Sequence, residues 1–334
     1  MFGTYRYVLA LMVACGHIQF QLFGRPNWLG LYAVFGFYTL SGYLMTRVLH
    51  ETYGYTAHGF LHYITNRALR ILPPYWLALL WTIALLMILP DAAGQAAWLV
   101  HLPTTVIGYA RNFALVGMHM DFHPALVPTA WSLHVEVIFY LMMGIGLSAS
   151  SRRAAVWLGA SAAWTVWAVA SGIPFGDRYS NVLGASLPFS TGAVLYFLRN
   201  GHRRWMLLAP IAFVPHALAA PWIWPDVQLA GFYVSYLLAA VSVLALVPLR
   251  ASPRWRALDR RLGDLSYPIF LLHTQVSFLV AKLWPHYSSL LALFVLTLPV
   301  LHVFAVLVHW CAVSSVENLR DRVRSASVAS QEGR

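Results

Sequence analysis

The chain has 334 residues, of which 60% are hydrophobic and only 10% are charged, and its mean hydropathy is +0.64. A composition this apolar excludes an ordinary soluble domain and indicates a protein whose solvent is lipid. The 22 Lys and Arg against 11 Asp and Glu give a net charge of +11, which on a soluble chain would favour a nucleic-acid partner. Here the arginines fall in short segments between apolar stretches. We therefore interpret them as determinants of membrane topology and expect no nucleic-acid partner.

Ten stretches are predicted to be transmembrane helices, because a helix needs about 20 mostly apolar residues to cross a bilayer. They are residues 5–23, 29–48, 73–90, 131–149, 154–171, 182–198, 205–220, 228–248, 265–283 and 288–313. Arginine clusters follow the second, fourth, sixth and eighth spans and lie in the C-terminal tail. The positive-inside rule then predicts that both termini are cytoplasmic. We expect an all-α polytopic membrane protein.

The segment 91–130 interrupts this pattern. Its residues 97–118 are apolar enough for an eleventh span, but they contain Pro103 and Arg111. A crossing here would place every later arginine cluster outside the cell. We therefore expect a re-entrant or interfacial helix on the outer side, buried in protein.

Two polar segments lie outside the predicted spans. His119, Asp121 and His123 alternate in the outer loop, but three candidate ligands in a loop are weak grounds for a metal site, and we expect none. The polar stretch 317–334 predicts a cytoplasmic tail that is disordered from about Ser325.

The first predicted span carries Arg6 and His17, eleven positions apart. Eleven residues of α-helix complete three turns with little rotation, so both side chains share one face and lie about 16 Å apart along the axis. An ionisable side chain inside a membrane is costly and marks a functional site. The pair favours a catalytic imidazole near mid-membrane, although a lone histidine there is often a packed structural residue.

Two further segments contain candidate binding residues. Ser41 and Gly42 form a small step in the second span, which either allows close helix packing or leaves room for an extended ligand. Arg67 and Arg70 precede a span predicted to start at Pro73 and, if helical, form a two-pronged cationic site suited to phosphate groups. Topogenic charge or a contact with anionic lipid explains the same spacing equally well.

The fourth and ninth predicted spans also carry ionisable side chains. Glu136 lies about 8 Å into the fourth span, where we expect it to pair with a cation or to orient a catalytic group. His134, two positions away, faces elsewhere and is interpreted as structural. His273 places a second imidazole in the ninth span.

In this order, the segments resemble the acyltransferase type 3 family of bacterial membrane O-acyltransferases. The matching residues are Arg6 and His17; Phe37 to Leu44; Arg67 and Arg70 with Pro73, Pro74, Tyr75 and Trp76; Trp131, Ser132, Leu133, Val135, Glu136, Phe139 and Tyr140; Pro188, Phe189 and Gly192; and Ser266, Tyr267 and His273. They run across most of a membrane domain that we assign to residues 1–316. The chain departs from the family at His134, where Ser is common, and at Val137, where a second Glu is common.

The resemblance implies transfer of a short acyl group, usually acetyl, from cytoplasmic acyl-CoA to a hydroxyl of a carbohydrate. The acceptor would be an exopolysaccharide, a lipopolysaccharide or a related glycan or glycolipid, and the location the bacterial inner membrane. The implied residues are His17 and Glu136 for catalysis; Arg6, Arg67, Arg70 and Ser41 for donor binding; and Trp131, Tyr267 and His273 for acceptor binding or structure. The resemblance implies no bound cofactor, because acyl-CoA, usually acetyl-CoA, is consumed as a co-substrate. The further partners it implies are membrane lipid and a polysaccharide synthesis or export complex.

Two other classes of function remain open. A secondary transporter would also explain ten spans with buried ionisable residues, although no repeated halves are evident in the sequence. A non-catalytic membrane partner of a polysaccharide synthase would need no His17.

Overall fold

The computed structural model describes residues 1–18, 21–22, 25–26, 28–89, 101–120, 124–201, 203–249 and 252–332. This part of the chain is helical apart from an antiparallel pair of two-residue strands, β1 (Gln21–Leu22) and β2 (Arg25–Pro26). The helices are α1 (Phe2–Ile18), α2 (Leu29–Val48), α3 (Ala57–Ile88), α4 (Val106–Ala114), α5 (Ala130–Met142), α6 (Ser151–Ala170), α7 (Phe175–Ser180), α8 (Val182–Phe197), α9 (Leu208–Ile223), α10 (Phe232–Leu246), α11 (Pro253–Leu283), α12 (Leu290–Val308) and α13 (Ser314–Glu332). The all-α prediction is confirmed.

Short polar side chains begin six of these helices. Each accepts a hydrogen bond from the backbone N–H three residues later, which satisfies a donor that has no partner inside the helix. These residues are Thr56 (α3), Thr105 (α4), Ser150 (α6), Asn181 (α8), Ser252 (α11) and Ser289 (α12). Single π-helical turns extend α2 and α5, precede α10, and join α12 to α13 without a break.

In the described part of the chain, five helical segments are long and apolar enough to cross a membrane, by length and composition. They are Ala57–Ile88, Ala130–Leu147, Arg204–Ile223, Val227–Leu246 and Leu290–Ser327. The predicted total of ten spans stays a prediction.

The third predicted span starts earlier than expected. Helix α3 begins at Ala57, so Pro73 and Pro74 lie inside it rather than at its start. A proline inside a helix removes a backbone hydrogen bond, but membrane helices tolerate this where neighbouring groups bind the local backbone. Tyr267 of α11 donates a hydrogen bond of 3.0 Å to the carbonyl of Ile71, next to the two prolines.

The predicted helix within 97–118 is shorter than that range. Residues 90–100 and 121–123 lie outside the described part, and α4 has nine residues, about 14 Å, which is too short to cross a bilayer. Tyr75 of α3 holds it by donating a hydrogen bond of 2.6 Å to the carbonyl of Asn112.

The stretch predicted to be a tail disordered from about Ser325 is helical in the described residues. The chain continues from α12 into α13, which is helical to Glu332 and packs against α3. Asn66 donates a hydrogen bond of 3.0 Å to the carbonyl of Arg320, and Ser327 donates one of 3.3 Å to the carbonyl of Thr52. These tertiary partners stabilise a helix whose polar composition predicted disorder.

Helices α1 and α11 pack side by side and run in the same direction. Gly3 lies against Asp259 at one end of the pair, and the ring of His17 lies 4.9 Å from that of His273 at the other end. Helices α2 and α8 are also parallel, since the rings of Tyr38 and Phe189 are 4.9 Å apart and those of Tyr43 and Tyr196 are 6.2 Å apart.

The core is centred on α2, which contacts α1, α5, α8 and α10. Two glycines allow its close approach to α8. A Cβ atom on Gly42 would lie 2.2 Å from the carbonyl oxygen of Phe189, and one on Gly192 would lie 2.0 Å from that of Thr39. Gly42 therefore allows close helix packing, which is one of the two interpretations that the sequence left open for Ser41 and Gly42.

We expect Gly42→Ala and Gly192→Ala each to destabilise the fold by about 1–3 kcal/mol, because the added methyl group meets backbone that cannot move alone. The thermal unfolding midpoint in detergent measures this effect. Gly159→Ala in α6 is the control, because no atom lies within 4 Å of its added Cβ. Unchanged midpoints in both packing variants would contradict the close-packing account.

Candidate active site

A cavity with about 800 Å³ of empty space lies among α1, α2, α3, α5 and α11. Its wall combines apolar side chains with Arg6, Ser41, Arg70, Ser132, Glu136, Tyr140, Ser266 and Tyr267. The structure therefore brings together five of the residues predicted from the sequence, which are Arg6, Ser41, Arg70, Glu136 and Tyr267.

Two guanidinium groups give the cavity its positive charge. Arg6 and Arg70 form no hydrogen bond or ion pair with any described residue, and the Nε atom of Arg6 is buried without a partner. Asp264 and Asp259 act favourably on the charge of Arg6, and Glu136 acts favourably on that of Arg70, but no direct ion pair forms among the described residues. The hydrogen-bond donors of both guanidiniums are therefore available to an anionic ligand.

Glu136 is the carboxylate in this wall. Ser41 donates a hydrogen bond of 2.6 Å to its Oε1 atom, and Tyr140 donates a short one to the same atom. No described donor binds Oε2. Glu136 makes no hydrogen bond to His17, so the expectation that it orients an imidazole finds no support in the described contacts.

His17 and His273 form a separate pair that does not line the cavity. The Nδ1 atom of His17 lies 3.0 Å from the carbonyl oxygen of Val13, and that of His273 lies 2.9 Å from the carbonyl oxygen of Phe270. A carbonyl only accepts, so each Nδ1 carries the proton and each neutral ring has its lone pair on Nε2. The Nε2 atom of His273 is buried without a partner.

Phe270 lies between the cavity and the pair of histidines, His17 and His273. Its ring lines the cavity and lies 6.4 Å from the ring of His273 and 5.7 Å from that of Phe37, another wall residue. The histidine pair therefore lies about one helical turn beyond the cavity.

Arg67 is apart from Arg70, although three residues separate them on α3. Its side chain is buried, donates a hydrogen bond of 2.9 Å to Asn66, and lies 3.7 Å from the sulfur of Met45, a wall residue. Its Nε atom has no partner. The predicted two-pronged site is helical, as expected, but only one of its prongs enters the cavity.

Two other predicted positions have packing roles. Trp131 is buried with its ring 5.4 Å from that of Tyr179, in an aromatic cluster outside the cavity wall. His134 places its Nδ1 atom 3.0 Å from the carbonyl oxygen of Leu115 and thereby ties α5 to the end of α4.

Sequence reasoning assigned no role in the site to Tyr140 or Asp259, and it interpreted Arg320 only as a determinant of membrane topology. The spacing of Glu136 and Tyr140 was an available signal, because residues four apart share a helix face. Nothing local in the sequence connects Asp259 with α1, since their contact depends on how α11 packs.

Asp259 of α11 caps the start of α1. Its carboxylate accepts hydrogen bonds from the backbone N–H groups of Gly3 and Thr4 and from the hydroxyl of Thr4, at 2.8–3.1 Å. Burial acts to raise the pKa of Asp259, but these hydrogen bonds and the nearby amino terminus lower it overall. A Cβ atom on Gly263 would lie 2.9 Å from the Nη2 atom of Arg6. The α1–α11 contact therefore positions Arg6.

The fold and the site together define a helical membrane protein with a charged internal cavity. The model of the acyltransferase type 3 family, described as an acyltransferase domain, matches residues 4–313, nearly the whole chain. No curated protein and no solved structure matches the chain. The chain belongs to this family and is a membrane acyltransferase, which confirms the resemblance carried by its motifs.

We expect Asp259→Ala to destabilise the fold by about 0.5–2 kcal/mol at neutral pH, as for loss of a helix cap. A depressed carboxyl pKa stabilises the folded state above the ordinary value of 3.8, and this contribution is lost as the pH falls through the folded-state value. The variant should therefore lose less stability than the wild type between about pH 5 and 3. Unfolding midpoints across this range measure the difference.

Asp321→Ala is the control for this prediction, because Asp321 is an exposed carboxylate on α13. Parallel pH profiles for Asp259→Ala and the wild type would contradict the capping account.

Proposed function

We propose that this acyltransferase moves a short acyl group, acetyl in the simplest case, from cytoplasmic acyl-CoA to a carbohydrate hydroxyl in the bacterial inner membrane. The observation that carries the proposal is the cavity itself, which has two guanidiniums without partners and a histidine pair about one turn beyond it. A donor with an anionic end and a long neutral arm would place its charge at the guanidiniums and its reactive end at the histidines.

In this proposal, Arg6 and Arg70 bind the charged end of the donor. Guanidinium groups bind phosphate through paired, charge-assisted hydrogen bonds, and Arg6 and Arg70 have these donors available. By helical rise, Arg6 and His17 are about 16 Å apart along α1, a reach comparable with the pantetheine arm of CoA. The arm would pass Glu136 and Phe270, so that the thioester meets the imidazoles away from bulk water.

His17 acts as the general base in this proposal. Its Nε2 lone pair accepts the proton of the acceptor hydroxyl while the hydroxyl oxygen attacks the thioester carbonyl carbon. The tetrahedral intermediate then collapses, the C–S bond breaks, and the imidazolium returns the proton to the departing thiolate. The products are an ester of the carbohydrate and a free thiol. Electrons and protons balance without a further reactant.

Glu136 binds substrate in this scheme. Ser41 and Tyr140 occupy its Oε1 atom, which leaves Oε2 to accept a hydrogen bond from an N–H or O–H group of a molecule in the cavity. Tyr267 supports the same wall by holding the α3 backbone at Ile71.

We also propose ten spans with both termini in the cytoplasm, so that donor and acceptor enter from opposite faces. The parallel pairs favour this arrangement. Helices α1 and α11 are the predicted first and ninth spans, and α2 and α8 are the second and sixth, so each pair is expected to cross in one direction. The outer face would then admit the carbohydrate.

We expect His17→Ala to reduce acyl transfer by about a hundredfold or more, because general-base catalysis contributes factors of that size. The measurement uses protein reconstituted with bacterial glycolipid and polysaccharide fractions and supplied with radiolabelled acetyl-CoA. It follows both thiol release and label in an alkali-labile carbohydrate ester.

His62→Ala is the matched control, because the Nδ1 atom of His62 binds the carbonyl of His58 in the same way, 3.0 Å away and outside the site. Wild-type transfer by His17→Ala would remove this residue from the mechanism. Solute uptake without thioester consumption by the wild type would favour a transporter, and inactivity with every fraction would favour a non-catalytic partner.

The proposed topology predicts the sides from which single cysteines are labelled. In a background with Cys15 and Cys311 replaced by serine, Ala257→Cys should react with an impermeant maleimide only from the cytoplasm, and Thr104→Cys only from outside. Both positions are exposed. Labelling of both from the same side would overturn the ten-span arrangement.

A further inference from the structure

Helix α13 lies beyond the region that the family model matches, which ends at residue 313. It nevertheless docks on the arginine-bearing part of α3. The side chain of Asn66 donates a hydrogen bond to the main-chain carbonyl of Arg320, and Asn66 precedes Arg67 in the chain. This contact holds Arg320 beside the two arginines of α3.

The charges of Arg67, Arg70 and Arg320 lie within electrostatic range of one another, although the Arg67 side chain does not enter the cavity. The charges of Arg67 and Arg70 act unfavourably on Arg320. Glu317 is within electrostatic range of Arg320, but the two form no ion pair in the described part of the chain. The Nε atoms of Arg67 and Arg320 are buried without partners.

Holding three like charges together, with donors unsatisfied, destabilises a protein unless an anion joins them. Arginine donors match the oxygens of a phosphate group, and several arginines together favour a multiply charged phosphate over a carboxylate. A merely topogenic cluster would place its guanidiniums in water. Arg67, by contrast, is only 8% exposed.

We infer that Arg320 of α13 completes a phosphate-binding site with Arg67 and Arg70, so that the C-terminal helix forms part of the substrate site. The inference rests on the proposed function in taking the phosphate to be that of the nucleotide end of the acyl donor. A lipid headgroup offers the same chemistry from a second source.

Arg320→Ala should weaken CoA binding by about ten- to a hundredfold, the effect of losing charge-assisted hydrogen bonds. It should leave binding of pantetheine, which has no phosphate, unchanged. Arg320→Lys should restore part of the loss, because the charge returns without the bidentate fork. Calorimetry in lipid-free detergent gives these affinities.

Arg322→Ala is the matched control, since Arg322 is exposed on the same helix and faces away from Arg320. The contact with Asn66 uses the main chain of Arg320, so the substitution leaves it in place. An unchanged unfolding midpoint would show that the variant is folded.

A second measurement identifies the source of the phosphate. Thermal stabilisation is compared in nanodiscs of phosphatidylglycerol and of phosphatidylcholine. If CoA affinity is unchanged but Arg320→Ala abolishes the stabilisation by phosphatidylglycerol, the phosphate site stands with a lipid as its ligand. If neither quantity changes, the inference is wrong. Acyl transfer by the wild type from acetyl-CoA, measured separately, decides the proposed function independently of Arg320.

Discussion

The parallel packing of α1 against α11 is the contact on which the candidate site depends. Asp259 caps the start of α1, and Gly3 and Gly263 allow the two backbones to approach closely beside Arg6. At the other end of the same pair, His17 lies against the ring of His273. One helix pair therefore places a cation in the cavity and an imidazole beyond it, so a shift of α1 would move both groups together.

The candidate site also depends on Arg6 and Arg70, which form no ion pair in the described part of the chain. Glu136 shares a cavity with two arginines, yet its Oε1 atom is held by the neutral hydroxyls of Ser41 and Tyr140. Because the carboxylate is satisfied in this way, Arg6 and Arg70 keep their hydrogen-bond donors for a ligand. A structural role for these arginines would pair them with protein acceptors, as Arg47 pairs with Glu51 on the protein surface.

The features that depend on helical periodicity could be predicted from the sequence. Arg6 and His17 lie on one helix, and Arg67 and Arg70 lie on another. These conclusions need only the rise and rotation of an α-helix.

The features that depend on the register between helices could not be predicted. Glu136 lies level with Ser41 rather than with His17 because of how α5 packs on α2, and no local pattern encodes that offset. Arg67 and Arg70 share a helix face by spacing, but Met45 of α2 stands in the wall beside Arg67, so that only Arg70 of these two lines the cavity. Helix α13 was not predicted, for the same reason, because it is held by hydrogen bonds with Asn66 and Thr52 on distant parts of the chain.

The separation of the arginines from the histidines has a chemical consequence. A thioester hydrolyses if water reaches the base together with it, so an acyltransferase must bring the acyl group to the imidazole in a dry place. Phe37 and Phe270 line the cavity wall, and the ring of Phe270 lies next to that of His273. Both imidazoles are bound to their own helices through Nδ1. Each Nε2 lone pair is thereby directed away from its helix. In the proposed function, the charged end of the donor would be recognised among the arginines while its reactive end is kept from water, which is the requirement for transfer to a hydroxyl instead of hydrolysis.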